Sequence, residues 1–227
     1  GPVVDPQGLA GQPDRVAPGS RIGAGCVLRA GPNAYRAGTI FMAVGRPGYV
    51  GVVRQEADEL NVAAALDPGF VRHHGTPARA AAAVLDGAGL EPIAALEDAY
   101  WQGTPALTRT AREAAGERWF LVGDAAGYVE PFTGQGMAWA LHAARTLAPL
   151  ALRAIDGWEP AMARTWASRY HRRVSRSRWL CRGLAAGLRH PGLVRAGADL
   201  LSYFPTLAGP FVAHLNSVRP TPERVVS

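Results

Sequence analysis

The sequence predicts a mixed α/β (α+β) fold, in which an antiparallel sheet is followed by a strand-turn-helix unit and a helical C-terminal region. Three observations carry this. Strand-length apolar runs at 39–44, 49–54 and 60–66 are separated by turn-forming or polar breaks. A shorter apolar run at 118–124 ends in Gly123-Asp124 and leads into a glycine-punctuated turn. Beyond Pro160, apolar residues recur near the helical period.

Taken in order, residues 1–36 are expected to be a loop or linker, because 1–21 is rich in Gly, Pro and Asp with no apolar period. Gly23-Ala24-Gly25-Cys26-Val27-Leu28 is expected to be a loop entering a strand. The region 37–110 then reads as a sheet region. Its first two runs are joined at Gly45-Arg46-Pro47-Gly48, and the third follows the polar break 55–59, which makes an antiparallel meander. A helix over 76–85 is predicted by Thr76 as cap, Pro77 in the first turn and the alanines that propagate it. The stretch 91–110 is mixed, with a strand-like patch at Ala99-Tyr100-Trp101 and a turn at Gly103-Thr104-Pro105. In the third region, 111–157, the run 118–124 is expected as a buried parallel strand. A helix should begin near Gly134 and be ended or kinked by Pro149. In 158–227, Met162, Trp166, Tyr170, Val174, Cys181, Leu184 and Leu188 predict one long amphipathic helix. Pro191-Gly192 should stop it, before a shorter helix through Leu193, Leu200 and Phe204 and a Pro-rich tail.

Composition narrows the function. With 227 residues, 48% of them hydrophobic, the chain can bury a core, and disorder is excluded as its main state. No window approaches the roughly 18 apolar residues of a spanning helix. Two cysteines, Cys26 and Cys181, make neither a disulfide framework nor a thiolate metal site, so a reducing, cytoplasmic setting is expected. The net charge of +6 would ordinarily suggest nucleic acid, but all 24 basic residues are arginine in a chain heavy in Ala, Gly, Pro and Val. That pattern reads as a coding bias, and no nucleic acid is expected. The absence of lysine also excludes Schiff-base chemistry and a phosphate-binding P-loop.

The chemistry concentrates in 119–141. A strand that delivers Asp124 at its carboxyl end places an acceptor where open α/β sheets bind their ligands. Ala125, Ala126 and Gly127 let another molecule approach the backbone. The turn Pro131-Phe132-Thr133-Gly134-Gln135-Gly136 starts a helix whose free amides and positive dipole end face the same space.

Gly123-Asp124-Ala125-Ala126, Pro131 and Gly134-Gln135-Gly136-Met137 resemble, in order and spacing, the second flavin-binding motif of FAD-dependent oxidoreductases related to p-hydroxybenzoate hydroxylase, geranylgeranyl reductase and the flavin-dependent halogenases. The resemblance implies part of a Rossmann-like FAD-binding flavoprotein, with 111–157 as the second half of the FAD domain and 37–110 as the substrate-binding sheet. It implies that Gly123, Asp124, Ala125, Pro131, Thr133, Gly134, Gln135, Gly136 and Met137 bind FAD, Asp124 at the ribityl hydroxyls and the turn near N1 and the C2 carbonyl of the ring. NAD(P)H or another reductant would be the electron donor. Gly127 follows the Gly-Asp-Ala-Ala as in the geranylgeranyl reductases. Their Tyr-x-Trp-x-Phe-Pro strand is matched here by Tyr49, with Gly51 for Trp, Val53 for Phe and Arg54 for Pro. Tyr49, Gly51 and Trp101 are therefore the expected substrate residues, for a lipophilic or aromatic small molecule that is either reduced at a double bond or hydroxylated. The family's Gly-x-Gly-x-x-Gly dinucleotide unit has no counterpart, since Gly23-Ala24-Gly25 is followed by Leu28 where a third glycine is needed, and the chain is expected to be the C-terminal part of a longer flavoprotein.

Other residues are read more plainly. No metal site is expected: His73 and His74 would point apart in a solvated loop. Glu130 is expected as a first-turn acid complementing the helix dipole, with a proton donor near the flavin as the alternative. Arg169, Arg172, Arg173, Arg176, Arg178 and Arg182 form a solvated helix face or a peripheral membrane contact. The competing function is a flavin-free interaction domain whose basic helix meets a membrane or an acidic partner. No catalytic acid or base can be assigned.

Overall fold

The computed structural model describes residues 15–130, 134, 136–187, 189–204, 206 and 209. Residues Pro131, Thr133 and Gln135 of the expected flavin turn lie outside these, as do the side chains of Val174, Cys181, Leu184, Leu188, Leu193, Arg173, Arg176, Arg178 and Arg182.

The N-terminal stretch is not only a loop. Strand β1 (Arg15–Val16) is followed by β2 (Ile22–Leu28), and then come β3 (Ile40–Gly45), β4 (Gly48–Arg54) and β5 (Leu60–Leu66). The three predicted runs form the expected meander, but β2 pairs with β5 along its whole length, Ile22 opposite Leu66 and Leu28 opposite Leu60. Its glycines read as loop residues in sequence. In the sheet they serve close approach, because a Cβ on Gly23 would stand 2.5 Å from Thr104 Oγ1.

Helix α1 (Pro68–His74) carries His73 and His74, correcting the extended-loop expectation. The prolyl start and the terminating Gly75 at φ +83° bound about two turns of helix, with His74 Nδ1 3.0 Å from Phe70 O. Helix α2 (Pro77–Gly87) forms as predicted, Thr76 Oγ1 accepting from Arg79 N at 3.2 Å. The patch 99–101 is not a strand. Instead β6 (Gln102–Ala106) runs through the expected turn at 103–105 and pairs with β2, so the sheet order is β3-β4-β5-β2-β6.

Alternation divides the sheet into two faces. Cys26, Leu28, Val50, Val52, Leu60, Val62, Ala64 and Leu66 pack against α2 and the short turn Ala94–Leu96 in one core. The opposite face presents Gly23, Gly25, Gly51 and Ala63, with Ile40 and Met42 exposed.

Next come β7 (Arg109–Thr110), β8 (Ala115–Gly116), β9 (Trp119–Phe120) and β10 (Gly127–Tyr128). The run 118–124 is thus no buried parallel strand. Every described pairing is antiparallel, so Trp119 and Phe120 pair only with Gly116 and Ala115, and 123–125 forms a single 3-10 turn. Helix α3 (Gly136–Asp156) continues through Pro149, which is exposed, so the carbonyl it leaves without an amide partner can face water. Helix α4 (Pro160–Gly187) buries Met162, Trp166 and Tyr170 against Ala126, Ala143 and Leu150, while Phe120 packs on the same cluster. The long helix ends shortly before Pro191, which opens the expected shorter helix, α5 (Pro191–Tyr203). Among the described residues no helix is long and apolar enough to cross a membrane.

Candidate functional site

Two features lie side by side. The first is the motif around Asp124. Gly123 adopts φ +57°, a conformation that favours glycine, and turns the chain out of the extended Val122 so that Asp124 and Ala125 are exposed. A side chain at Gly123 would also press on Ala140 of α3, 3.1 Å from its Cβ. This packing brings the amino end of α3 to the carboxylate, since a Cβ placed on Gly136 would lie 3.9 Å from Asp124 Oδ1. Gly134 (φ +65°) and Met137 are exposed beside it. The motif is braced from behind, where Trp166 Nε1 donates to Leu121 O at 3.0 Å.

An exposed acceptor beside the amino end of a helix, with glycine at 123, 134 and 136, is a fit donor-acceptor set for a polyol chain leading to an electron-rich ring. Of the nine expected FAD residues the structure gathers Gly123, Asp124, Ala125, Gly134, Gly136 and Met137 here.

The second feature is a hollow of about 540 Å³ on the open face of the sheet. Gly23, Gly25 and Ala63 give it a flat floor, and Asn61, Tyr100, Gln102, Thr104 and Tyr128 edge it with neutral polar groups. Among the described residues no charged side chain lines it. Tyr128 joins the two features, lying in β10 a few residues after Asp124. Burial, with the Asp124 charge adding, pushes its phenol above the ordinary tyrosine range, so it stays a hydrogen-bond donor at neutral pH.

The expected substrate residues fall differently. Trp101 is turned into the core under the sheet, its Nε1 donating to Leu96 O at 2.9 Å, and its neighbour Tyr100 lines the hollow instead. Tyr49 is 5% exposed, packed on the open face among Ala65, Leu107, Val44 and Tyr128, and does not line the hollow. Burial first, then the Glu130 charge, raises its phenol far above the usual range. Gly51 lies on the open face, paired with Ala63 of the floor. Sequence reading missed the hollow because its residues come from β2, β5, β6, β10 and the chain flanking β6; the alternation Gly23-x-Gly25 was the available signal.

Glu130 is not a first-turn acid. It lies before the turn, 5% exposed, and accepts from Arg21 Nη1 at 2.8 Å. Among the described residues there is no group of three or more His, Cys, Asp and Glu able to hold a metal.

No protein-family model matches the chain, and no curated protein matches it either. Solved structures do resemble it. The Diels-Alderase PyrE3 of the pyrroindomycin biosynthetic pathway superposes with a TM-score of 0.63 at 19% identity, over 91% of this chain and 46% of that one. The p-nitrophenol 4-monooxygenase PnpA from Pseudomonas putida DLL-E4 gives 0.62 at 16% identity, over 94% and 58%. The flavin-dependent halogenase CmlS gives 0.56 at 18%, over 77% and 33%. The chain therefore has the fold of part of these enzymes, and spans between a third and three-fifths of their length.

Proposed function

We propose that the chain forms the ring-binding and substrate-binding part of an FAD-dependent oxidoreductase acting on an uncharged, lipophilic or aromatic small molecule. The observation that carries this reading is the exposed Asp124 carboxylate against the amino end of α3, a few residues from a neutral hollow on the sheet. Bound FAD would supply electron transfer at its ring. Asp124 would accept hydrogen bonds from the ribityl hydroxyls, and the amides at the start of α3 would favour the negative charge that a reduced ring carries. The floor of Gly23, Gly25 and Ala63 would hold a flat substrate, with Asn61, Gln102 and Tyr128 orienting its polar edge. The diphosphate end of FAD would fall to a dinucleotide-binding unit of the geranylgeranyl reductase and p-hydroxybenzoate hydroxylase type, and a reduced nicotinamide would be the donor.

The test is Asp124→Ala in the protein expressed from its complete gene. Losing charge-assisted bonds worth about 1.5–3 kcal/mol in total should weaken FAD about tenfold to a hundredfold, with the far-UV spectrum unchanged. Unchanged flavin content in the purified variant would sink the assignment. Reduction and hydroxylation are then separated by oxygen uptake: a hydroxylase consumes oxygen in step with product, and a reductase does not.

A further inference from the structure

Among the described residues, buried charge is confined to Arg21, at 0% exposure, and Glu130, at 5%, and the two are paired across 109 positions of sequence. Taking both charges out of water is costly, and an apolar pair of similar size would often serve the fold as well. Their placement is therefore informative. Arg21 stands immediately before β2, whose glycines floor the hollow, and it is fixed from three sides. Its Nη2 donates to Arg46 O in the β3-β4 turn at 3.4 Å, its Nε lies 3.6 Å from Asp67 Oδ1 at the end of β5, and its guanidinium stands 5.7 Å from the centroid of the Tyr49 ring. Glu130 ends the segment that begins with Tyr128 on the rim of the hollow. Val129 and Glu130 are buried, six residues or fewer from Asp124.

We propose that Arg21 and Glu130 are positioning residues, a charged clamp that fixes the segment 127–130, which runs from the Asp124 motif past Tyr128, to the end of the sheet and so holds that motif and the substrate floor in one register. The inference rests on the flavin reading above. It distinguishes the pair from simple fold glue through directionality. A charged, bidentate-capable guanidinium fixes the orientation of a carboxylate, and an apolar contact of the same bulk does not.

The test compares wild type, Glu130→Gln and the apolar double variant Arg21→Met with Glu130→Leu, all expressed from the complete gene. Thermal stability, the FAD dissociation constant and the visible circular dichroism of bound FAD are measured. Glu130→Gln should lower the melting temperature and weaken FAD at least tenfold. The double variant should recover most of the melting temperature, yet keep the weakened FAD binding and an altered visible spectrum, because a misplacement of about 1 Å persists. If Glu130→Gln does not fold, the double variant carries the comparison. A double variant that regains the wild-type FAD constant and visible spectrum together with its stability overturns the clamp. A wild-type protein that takes up no flavin overturns the functional reading itself, and the clamp with it.

Discussion

At the scale of single residues, Arg54 shows how one guanidinium can replace a different local solution. It stands where the resembling motif has proline, and its side chain closes the 29–36 loop: Nε donates to Tyr35 O at 2.6 Å, and Nη2 to Gly31 O at 3.1 Å and Pro32 O at 2.6 Å. Nη1 meets Asp58 Oδ1 at 2.6 Å. Arg54→Met keeps the stem but strands the carbonyls of Gly31, Pro32 and Tyr35, and should cost about 2–4 kcal/mol in urea unfolding; a loss below about 0.5 kcal/mol would mean that the loop holds itself. Cys26 makes a second case. Burial in β2 pushes its thiol up to about 11 from 9.0. A folded-state value above the unfolded one makes its contribution to stability complete below about pH 9 and lost as pH rises toward 11. In a Cys181→Ser background, Cys26 should therefore react with a thiol reagent only as the chain unfolds, and fast labelling of folded protein at pH 8 would contradict its burial. The legibility of the site divides along the same line. Asp124 and its glycines could be singled out because an apolar run ending in Gly-Asp before a glycine-punctuated turn is a local pattern in the sequence. Arg21 and Glu130 were not, since nothing within a few positions of either names a partner 109 residues away.

At the scale of elements, local signals were read well where caps and alternation agree. Thr76 caps α2 as its sequence implies, and Thr76→Ala should cost about 1 kcal/mol, measured by denaturant titration. The meander β3-β4-β5 was legible for the same reason, each strand being bounded by its own turn. β2 and β6 were misread because Gly, Thr and Pro are loop formers in isolation, and only the neighbouring strands make them extended. The motif strand was overread: its apolar run suits a buried strand, but its burial comes from α4, with Trp166 1% exposed and bonded to Leu121 O. Trp166→Ala should consequently cost about 3–5 kcal/mol and loosen the Asp124 turn. Trp166→Phe, which keeps most of the volume, should restore much of that stability; equal losses in the two variants would place the whole effect in the indole hydrogen bond.

At the scale of the whole molecule, the described apolar residues gather in three clusters: the core under the sheet, the cluster around Trp166, and a small one of Tyr49, Ala65 and Leu107 with Tyr128 packed against it. The strand order β3-β4-β5-β2-β6 adds a consequence for the path by which the chain reaches this state. The meander closes between sequence neighbours, whereas β2 must find β5 across the length of the meander, and β6 can pair only with a β2 already in place. Loop-closure entropy makes the local pairings early and the distant ones late. In stopped-flow chevrons, Val52→Ala in β4 should then slow refolding, while Leu28→Ala in β2 should chiefly speed unfolding; the reverse assignment would refute the order. Until β6 arrives, the glycine-floored strand presents bare amides and carbonyls to any extended segment nearby, so the refolding yield should fall with protein concentration more steeply than that of a chain whose first strand pairs with its second.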